Sequence, residues 1–306
     1  MKHSHNAGHL LTAHNSEYKE KINAYFAKEL HDDLFPSGDR TCNILQAYAQ
    51  SQCTAYIKVK ADGVISGIEE CSCFLKGFNI YIVWHVADGD TVKVSNIIAE
   101  LSGLAADILK VERIILNFLG RMSGISTYTK KCVEQVPSTV LICPTRKTVW
   151  GVFDKKACVI GGGGTHRLNL SSGVMFKENH LTLLPLRDIQ NLSNLLEKND
   201  GNMGAFCEIE VETEKEAETA IQVLSKLKKT QAVIMFDNFS AKKLKNSLEK
   251  LKKQYPQESK NILFEASGGI DTHNIHEYKN TGVNIISSGA ITHSSKSLDL
   301  SLRIEI

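Results

Sequence analysis

The feature that most constrains the fold is a repeated alternation, after Pro137, of short apolar runs with polar or glycine-rich residues. A strand followed by a helix, repeated, indicates a parallel sheet. Six or seven such units favour a closed or nearly closed α/β barrel, although the pattern does not distinguish seven strands from eight. The apolar runs lie at 140–143, 157–160, 174–176, 205–211, 232–236, 262–264 and 283–286, and helices are predicted at 183–198, 213–229, 240–253 and 272–280.

The first part of the chain mixes helix and strand signals. Residues 16–31 have the spacing of an amphipathic helix, and residues 53–60 and 79–87 alternate like strands. The segment 97–134 is predicted to be helical with an interruption near Ser123-Gly124. Five of its residues recur at helical spacing and are expected to face a core, namely Ile108, Val111, Ile115, Phe118 and Met122.

The length of 306 residues and these patterns predict two domains, or one large α/β domain with an appendage, together with a tail. We expect an N-terminal α/β domain over residues 16–120, joined by residues 291–306, and a catalytic barrel over residues 121–290. Residues 1–15 carry His3, His5, His9 and His14 and are expected to form a flexible, histidine-rich tail.

Composition and charge exclude several classes of protein. The formal net charge is only +2, whereas residues 111–180 carry ten Lys or Arg and four Asp or Glu. A basic segment in a near-neutral chain favours a small anionic ligand over nucleic acid. No apolar run approaches the length needed to span a bilayer, so no membrane partner is expected. Eight scattered cysteines predict reduced thiols and a cytoplasmic location.

A set of basic residues follows the apolar runs or lies on the long helix. Arginine presents a planar fork that matches a carboxylate or a phosphate, and lysine supplies a compact positive charge. Any one of them alone can be an ordinary surface charge, and Arg113 points away from the predicted core. Five within 32 residues indicate a site for a polyanionic ligand. The set is Arg113, Arg146, Lys147, His166, Arg167 and Lys177.

Two carboxylates, Glu210 and Asp237, lie at or near strand ends. Such groups can hold sugar hydroxyls, bind Mg²⁺ or stabilise a developing cation. Glu210 also belongs to the alternation Glu208, Glu210, Glu212, so a solvent-facing position is the competing interpretation.

Glycine-rich loops supply candidate phosphate sites, because glycine lets backbone N–H groups approach an anion closely. The last two barrel loops contain Ser267-Gly268-Gly269 and Ser288-Gly289-Ala290, and Gly161–Gly164 form a further glycine run. Taken together, the basic, acidic and glycine sets indicate a ligand with a phosphorylated sugar and carboxylates.

The chain also resembles the quinolinate phosphoribosyltransferase family in a series of motifs that fall in order from about residue 30 to the end. The matching strings are VERIILNFLGRMSGISTYT at 111–129, TRKT at 145–148, GGGGTHRLNL at 161–170, FKENH at 176–180, CEIEVET at 207–213, IMFDNFS at 234–240, FEASGGI at 264–270 and GVNIISSGAITHS at 282–294.

The resemblance implies an N-terminal α/β sandwich domain and a C-terminal incomplete α/β barrel, the type II phosphoribosyltransferase-like fold. It implies a homodimer or higher homo-oligomer whose sites are shared between subunits. The family reaction joins quinolinate to 5-phosphoribosyl-1-pyrophosphate (PRPP) with Mg²⁺ and yields nicotinate mononucleotide, pyrophosphate and CO₂.

The resemblance also implies roles for individual residues. Arg113 would enter the partner's site, whereas Thr145, Arg146, Lys147, His166, Arg167 and Lys177 would bind quinolinate and the PRPP phosphates. Glu210 and Asp237 would lie near the ribose and Mg²⁺, directly or indirectly. Ser267, Gly268, Gly269, Ser288 and Gly289 would hold the 5-phosphate. The catalytic set would be Lys147, Lys177, Glu210 and Asp237.

The sequence departs from the family pattern after TRKT, where Val149 and Trp150 replace the usual residues. Trp150 is interpreted as core packing, and the alternative is a reshaped acceptor pocket. Three other functions stay open: a paralogue that transfers phosphoribose to another carboxylated heterocycle, a barrel that binds PRPP without turnover, and a Schiff-base aldolase with Lys177 as nucleophile.

Overall fold

The computed structural model describes residues 4–305 and divides into two compact units. The barrel unit comprises residues 4–8, 129–158 and 162–294, and the N-terminal unit comprises residues 9–128, 159–161 and 295–305. The predicted boundary after residue 120 therefore differs from the observed one, which falls after residue 128. No helix among residues 4–305 is both long and apolar enough to cross a bilayer.

Helices and strands follow one another through most of the described residues. The first part of the chain contains α1 (Ser16–Leu34), α2 (Arg40–Leu45), β1 (Gln52–Val59), β2 (Gly63–Val64), α3 (Ile68–Leu75), β3 (Ile80–Trp84), β4 (Thr91–Val92), β5 (Ile97–Leu104) and α4 (Ala105–Val133). The second part contains β6 (Leu141–Pro144), α5 (Val152–Ile160), β7 (Val174–Phe176), α6 (Glu178–Leu181), α7 (Ser193–Asn199), β8 (Phe206–Val211), α8 (Glu214–Leu224), β9 (Gln231–Asp237), α9 (Ala241–Gln254), β10 (Ile262–Ser267), β11 (Ile285–Ser288), α10 (Ala290–His293) and β12 (Leu300–Glu305).

The N-terminal unit is built on a four-stranded antiparallel sheet in the order β12-β1-β5-β3. Helix α1 begins where the Asn15 side chain accepts a hydrogen bond from the backbone N–H of Tyr18. Its residues Tyr18, Ile22 and Phe26 recur every four positions and are buried, which confirms the predicted amphipathic helix.

The segment predicted as one helix over residues 97–134 is a strand followed by a helix. Residues of β5 alternate between buried and partly exposed and pair with both β1 and β3. Helix α4 then runs through Ser123-Gly124 without the predicted interruption. Gly124 is required instead for a close approach, since a Cβ there would clash with the Lys296 carbonyl. The five predicted core residues of this helix are all fully buried.

Six parallel strands form the sheet of the barrel unit, in the order β6-β11-β10-β9-β8-β7. No pairing joins β6 to β7 within the described residues, so the barrel is incomplete, as predicted. The apolar run at 157–160 is not a strand but the end of helix α5. Phe153, Ala157 and Cys158 are buried at helical spacing, and a short apolar run is compatible with either element.

The predicted flexible tail is wrong for the residues that the structure describes. The His5 side chain is fully buried in the barrel unit, and Leu11 is buried in the N-terminal unit after a 3₁₀ turn at Gly8–Leu10. The His5 carbonyl accepts hydrogen bonds from the backbone N–H groups of Thr165 and His166, at 3.0 and 2.8 Å. His9 and His14 are exposed, and His3 lies outside the described residues.

Candidate active site

A cavity of about 600 Å³ opens at the carboxyl ends of the barrel strands. Since parallel strands end at the same edge of a sheet, residues that follow different strands meet there. The lining includes every predicted site residue except Arg113. The predicted residues that line it are Thr145, Arg146, Lys147, His166, Arg167, Lys177, Glu210, Asp237, Ser267, Gly268, Gly269, Ser288 and Gly289.

An ion pair lies at the mouth of β7 and β8. The Lys177 Nζ donates to Glu210 Oε2 at 2.9 Å. The Glu210 side chain is only 12% exposed, whereas that of Lys177 is 45% exposed. The solvent-facing interpretation of Glu210 is therefore wrong, and its carboxylate and the Lys177 ammonium point into the same cavity.

Asp237 is the second cavity carboxylate and ends strand β9. Burial raises its pKa above the usual range, the negative charge of Glu210 adds to this, and Lys177 and Lys147 oppose it. The Asn238 side-chain amide donates to Asp237 Oδ2 at 2.6 Å. Two neighbouring carboxylates in one cavity favour the binding of a positive charge near them.

The basic residues divide into an exposed pair and a buried arginine. Arg146 and Lys147 are exposed at the cavity, whereas Arg167 is 6% exposed. Arg167 donates through Nη1 to the Gly173 carbonyl at 3.2 Å, and its buried Nε has no hydrogen-bond partner. Burial lowers the pKa of its guanidinium, and the charge of Arg146 adds to the effect. Arg167 thus retains a donor for an anionic ligand.

Both ring nitrogens of His166 are engaged within the protein. The backbone N–H of Arg167 donates to Nδ1 at 2.9 Å, so the proton is inferred to lie on Nε2. That nitrogen is 3.2 Å from Glu265 Oε1, to which it donates. His166 lines the cavity, but a hydrogen bond from its ring to a ligand would require one of these contacts to break.

The loop after β10 has the backbone that a close-fitting anion site needs. Gly268 and Gly269 have φ values of +89° and +59°, in the left-handed region that favours glycine. A Cβ at Gly268 would lie 2.6 Å from the backbone nitrogen of Asn238. The other glycine run serves packing, because a Cβ at Gly163 would lie 2.7 Å from the Ile142 carbonyl, and neither Gly163 nor Gly164 lines the cavity.

Arg113 and Trp150 lie outside the cavity lining. Arg113 is on α4 with its side chain 64% exposed, and its Nη2 is 3.5 Å from Glu112 Oε1. Trp150 is in a turn in which its backbone N–H and that of Val149 donate to the buried Asp154 carboxylate, at 3.3 and 2.9 Å. Its absence from the lining argues against a reshaped pocket, but Trp150 is only half-buried and does not belong to the core.

Lys155 is a structural residue that sequence reasoning missed. It lies on α5, is 1% exposed and donates from Nζ to the Thr165 carbonyl at 2.7 Å and to that of Thr145 at 3.4 Å. Its ammonium therefore connects the segment carrying Arg146 and Lys147 to that carrying His166 and Arg167. Its neighbours Asp154 and Lys156 are also charged, so no local pattern marked Lys155 as buried.

Further cavity residues were also missed, namely Met175, Met235, Ile270, Asp271, Ser287, His293 and Ser294. His293 is the last residue of α10, the short helix that begins directly after Gly289. Its ring packs against Gly289, where a Cβ would lie 3.0 Å from the ring. Glu208 and Glu265 lie deeper on the strands and are fully buried. The signal for Glu208 was its two-residue spacing from Glu210, which places both on the inner face of β8.

Fold and cavity together define a type II phosphoribosyltransferase-like protein, and comparison with known proteins agrees. The family models for the N-terminal and C-terminal domains of quinolinate phosphoribosyl transferase match residues 39–123 and 125–303. The chain therefore belongs to the quinolinate phosphoribosyltransferase family, which confirms the resemblance seen in the sequence.

Individual relatives cover nearly the whole chain. It is 34% identical over 298 residues to the probable nicotinate-nucleotide pyrophosphorylase (carboxylating) of Bacillus subtilis, spanning 95% of this chain and 94% of that protein. It is 34% identical over 285 residues to quinolinate phosphoribosyltransferase (decarboxylating) 1b of Nicotiana tabacum, spanning 90% and 80%.

Solved structures share the fold along the same length. NadC from Streptococcus pyogenes superposes with a TM-score of 0.81 at 28% identity, covering 94% of this chain and 97% of that one. The nicotinate-nucleotide pyrophosphorylase from Francisella tularensis gives a TM-score of 0.80 at 28% identity, covering 94% and 96%. These matches confirm the predicted fold class.

The buried Lys155 predicts a pH-dependent stability. Burial lowers its pKa from 10.5 to about 8, so between these values the unfolded chain binds a proton that the folded chain does not. The Lys155 contribution to the free energy of unfolding should therefore rise with pH across this window, by on the order of 3 kcal/mol in total for a shift of this size. Buried cysteines such as Cys143 and Cys158, whose pKa values burial raises, contribute with the opposite sign in both the wild type and a Lys155 variant. Denaturant unfolding at pH values from about 7 to about 10.5 measures the slope.

The variant Lys155→Met should remove this contribution, so the stability of the wild type relative to the variant should rise with pH across the window. Lys198→Met is the matched control, because Lys198 is exposed on α7 and its loss should leave the slope unchanged. Parallel curves for the wild type and Lys155→Met would contradict the assignment.

Proposed function

We propose that this protein transfers the 5-phosphoribosyl group of PRPP to the ring nitrogen of quinolinate, with decarboxylation. The products are nicotinate mononucleotide, pyrophosphate and CO₂, a step of NAD biosynthesis. The observation that carries the proposal is one cavity in which four cations face two carboxylates and a glycine loop. The names of the curated relatives in this family support the same reaction.

The cavity cations suit a pyridine dicarboxylate. Arg146 and Lys147 are exposed at its mouth, and the buried Arg167 has an unpartnered Nε. Charge-assisted hydrogen bonds to carboxylates contribute about 1.5–3 kcal/mol each. The 2- and 3-carboxylates of quinolinate would be held by this group, which fixes the ring nitrogen toward the ribose.

The loops after β10 and β11 suit the 5-phosphate of PRPP. Ser267, Gly268 and Gly269 present backbone N–H groups from a turn that only glycine adopts readily, and Ser288 and Gly289 lie on the neighbouring strand end. Strands β10 and β11 are paired, so both loops lie at one edge of the cavity. Phosphate at this edge would direct the anomeric carbon toward Glu210 and Asp237.

The reaction proceeds by bond exchange at the anomeric carbon. The ring nitrogen of quinolinate forms the new bond to that carbon as its bond to pyrophosphate breaks, and pyrophosphate leaves with the electron pair. Positive charge develops on the ribose, where the Glu210 and Asp237 carboxylates stabilise it. The ring nitrogen is then cationic, so the bond to the 2-carboxylate breaks, CO₂ leaves and the ring carbon takes up a proton.

We also propose Mg²⁺ as the metal cofactor. Two carboxylates in one cavity, one with its pKa raised partly by the other, are the hard oxygen donors that Mg²⁺ prefers. Glu210 and Asp237 would hold it directly or through water. When bound with PRPP, Mg²⁺ neutralises charge on the pyrophosphate.

Pyrophosphate release with PRPP and Mg²⁺ tests the function, with quinolinate, nicotinate or no acceptor. Release with quinolinate alone, together with nicotinate mononucleotide, is expected. Tight PRPP binding with no pyrophosphate release for either acceptor would contradict the proposal and favour a paralogue with another acceptor or a non-catalytic PRPP-binding barrel.

The aldolase alternative is disfavoured by the Lys177–Glu210 ion pair, since a Schiff-base lysine reacts as the neutral amine. A borohydride-trapped carbonyl adduct on Lys177 would revive it.

The exposed Arg146 predicts a binding defect without a folding defect. Arg146→Ala should raise the KM for quinolinate by roughly ten- to a hundredfold, because one charge-assisted contact is lost. Steady-state kinetics and thermal unfolding measure the two effects separately. Lys198→Ala, on the exposed surface of α7, should change neither. A normal KM in Arg146→Ala would remove this residue from the acceptor site.

We further propose that the protein is a homodimer or higher homo-oligomer in which Arg113 completes the site of its neighbour. The support is an arginine 64% exposed on a helix whose other face is buried, together with the family resemblance. Mixed Arg113→Ala and Lys177→Ala subunits should then regain activity, because one of the two sites in each heterodimer is intact. About a quarter of wild-type activity is expected after random mixing.

Mixing Lys177→Ala with Glu210→Ala is the control, since both residues line one subunit's cavity and no intact site can form. Equal activity in the two mixtures would argue against a shared site.

A cytoplasmic location is proposed as well, supported by eight free cysteines of which six are buried.

A further inference from the structure

Four buried side chains converge in the barrel interior below the cavity. Glu208 lies on β8 and Glu265 on β10, whereas His5 and His166 lie in segments that are not strands of the sheet. Each residue is at most 7% exposed, and their candidate ligand atoms all lie within 4.8 Å of one another. Glu208 and Glu265 do not line the cavity, whereas His166 does, so the cluster adjoins the proposed transferase site and shares one residue with it.

Several atoms of the cluster have no hydrogen-bond partner, namely His5 Nε2, both carboxylate oxygens of Glu208 and Glu265 Oε2. A buried carboxylate without a partner is strongly unfavourable, and two of them in one pocket repel each other. The atoms nonetheless point at one another rather than at other donors. A proton on one carboxyl group or a cation between the two would relieve this repulsion.

His5 is oriented as a ligand. Its ring stacks on Phe206 with centroids 3.8 Å apart, and its carbonyl is fixed by the N–H groups of Thr165 and His166. Nδ1 lies 3.0 Å from the Ser4 hydroxyl, to which it can donate. The lone pair of Nε2 then faces Glu208 Oε2 and Glu265 Oε2, each at 3.8 Å.

His166 supports the cluster instead of completing it. Its Nδ1 accepts from the Arg167 backbone, so its Nε2 carries a proton and donates to Glu265 Oε1. A carboxylate whose other oxygen is held in this way is a well-oriented ligand. His5, Glu208 and Glu265 remain as one nitrogen and two oxygen donors with a combined charge of −2 when both carboxyl groups are ionised.

The separations suit a metal ion. Ligands about 2.0–2.2 Å from a tetrahedral centre lie roughly 3.4 Å from one another, and the His5 nitrogen is 3.8 Å from each carboxylate oxygen. These two separations exceed the tetrahedral spacing by only a few tenths of an ångström. An imidazole with two carboxylates suits Zn²⁺, Mn²⁺ or Fe²⁺, whereas Mg²⁺ prefers oxygen ligands and water.

We propose that His5, Glu208 and Glu265 bind a divalent transition-metal ion that is distinct from the Mg²⁺ of the transferase reaction. The ion joins residues 4–8 to the interior of the barrel. The His166 ring donates from Nε2 to Glu265 Oε1 and accepts at Nδ1 from the Arg167 backbone N–H, so the ion also supports the turn that carries Arg167.

Metal analysis of the full-length, untagged protein tests the proposal. The protein is stripped with a chelator, reloaded with Zn²⁺ or Co²⁺ and dialysed. About one ion per chain is expected, with Co²⁺ absorption typical of nitrogen and oxygen ligands and without a thiolate charge-transfer band. Zn²⁺ should also raise the midpoint of thermal unfolding, since binding occurs only in the folded state.

His5→Gln and Glu208→Gln should each weaken Zn²⁺ binding at least roughly tenfold and abolish the thermal shift. His9→Gln is the matched control from the same segment, because His9 is exposed and should bind like the wild type. If His5→Gln does not fold, the Co²⁺ spectrum of the wild type and the Glu208→Gln titration still decide the question.

Two results would overturn the proposal. One is a reloaded wild type that retains neither ion. The other is equal metal content in the wild type and both variants, which would place the ion elsewhere. Neither result bears on the transferase function, because pyrophosphate release is assayed with Mg²⁺ on the same preparation.

Discussion

The barrel unit depends on one constraint, which is that its six parallel strands pair with their neighbours in a fixed register. Met235 on β9 is in register with both Glu210 on β8 and Glu265 on β10. Side chains two residues apart on one strand lie on the same face of the sheet. One of them can therefore lie in the barrel interior while the other, two residues later, lies at the mouth. Glu208 and Glu210 show this directly, since the first is enclosed and the second reaches the cavity. A one-residue slip in register would turn both to the opposite face.

The same constraint explains why much of the candidate site could be predicted from the sequence. Lys177, Glu210 and Asp237 each follow or end an apolar run, and parallel strands bring such positions together whatever the connections between them. The resemblance to a family added roles for these residues but did not change their positions. The structure adds distances and partners, such as the Lys177–Glu210 ion pair.

What the sequence did not reveal depends on contacts between distant residues. His5 meets Thr165 across 160 positions, and no local pattern encodes that distance. Residues 157–160 are apolar because one face of α5 is buried, and so short a run reads equally well as a strand. The strand at 97–104 runs directly into α4 without a loop, and Gly103 alone does not mark the boundary, so the pattern predicts one helix. Gly124 marks a close backbone approach, which sequence alone does not distinguish from a break.

The burial of His5 also has a consequence for how the chain is made. Neither unit is continuous in sequence, since the chain passes from one to the other after residues 8, 128, 158, 161 and 294. At roughly 5–20 residues per second, His5 leaves the ribosome about ten seconds to a minute before Glu265. The segment that carries His5 therefore cannot be buried until the strands around it have been synthesised. The barrel unit cannot fold from its first residues onward, and assembly of its interior is a late event in the synthesis of the chain.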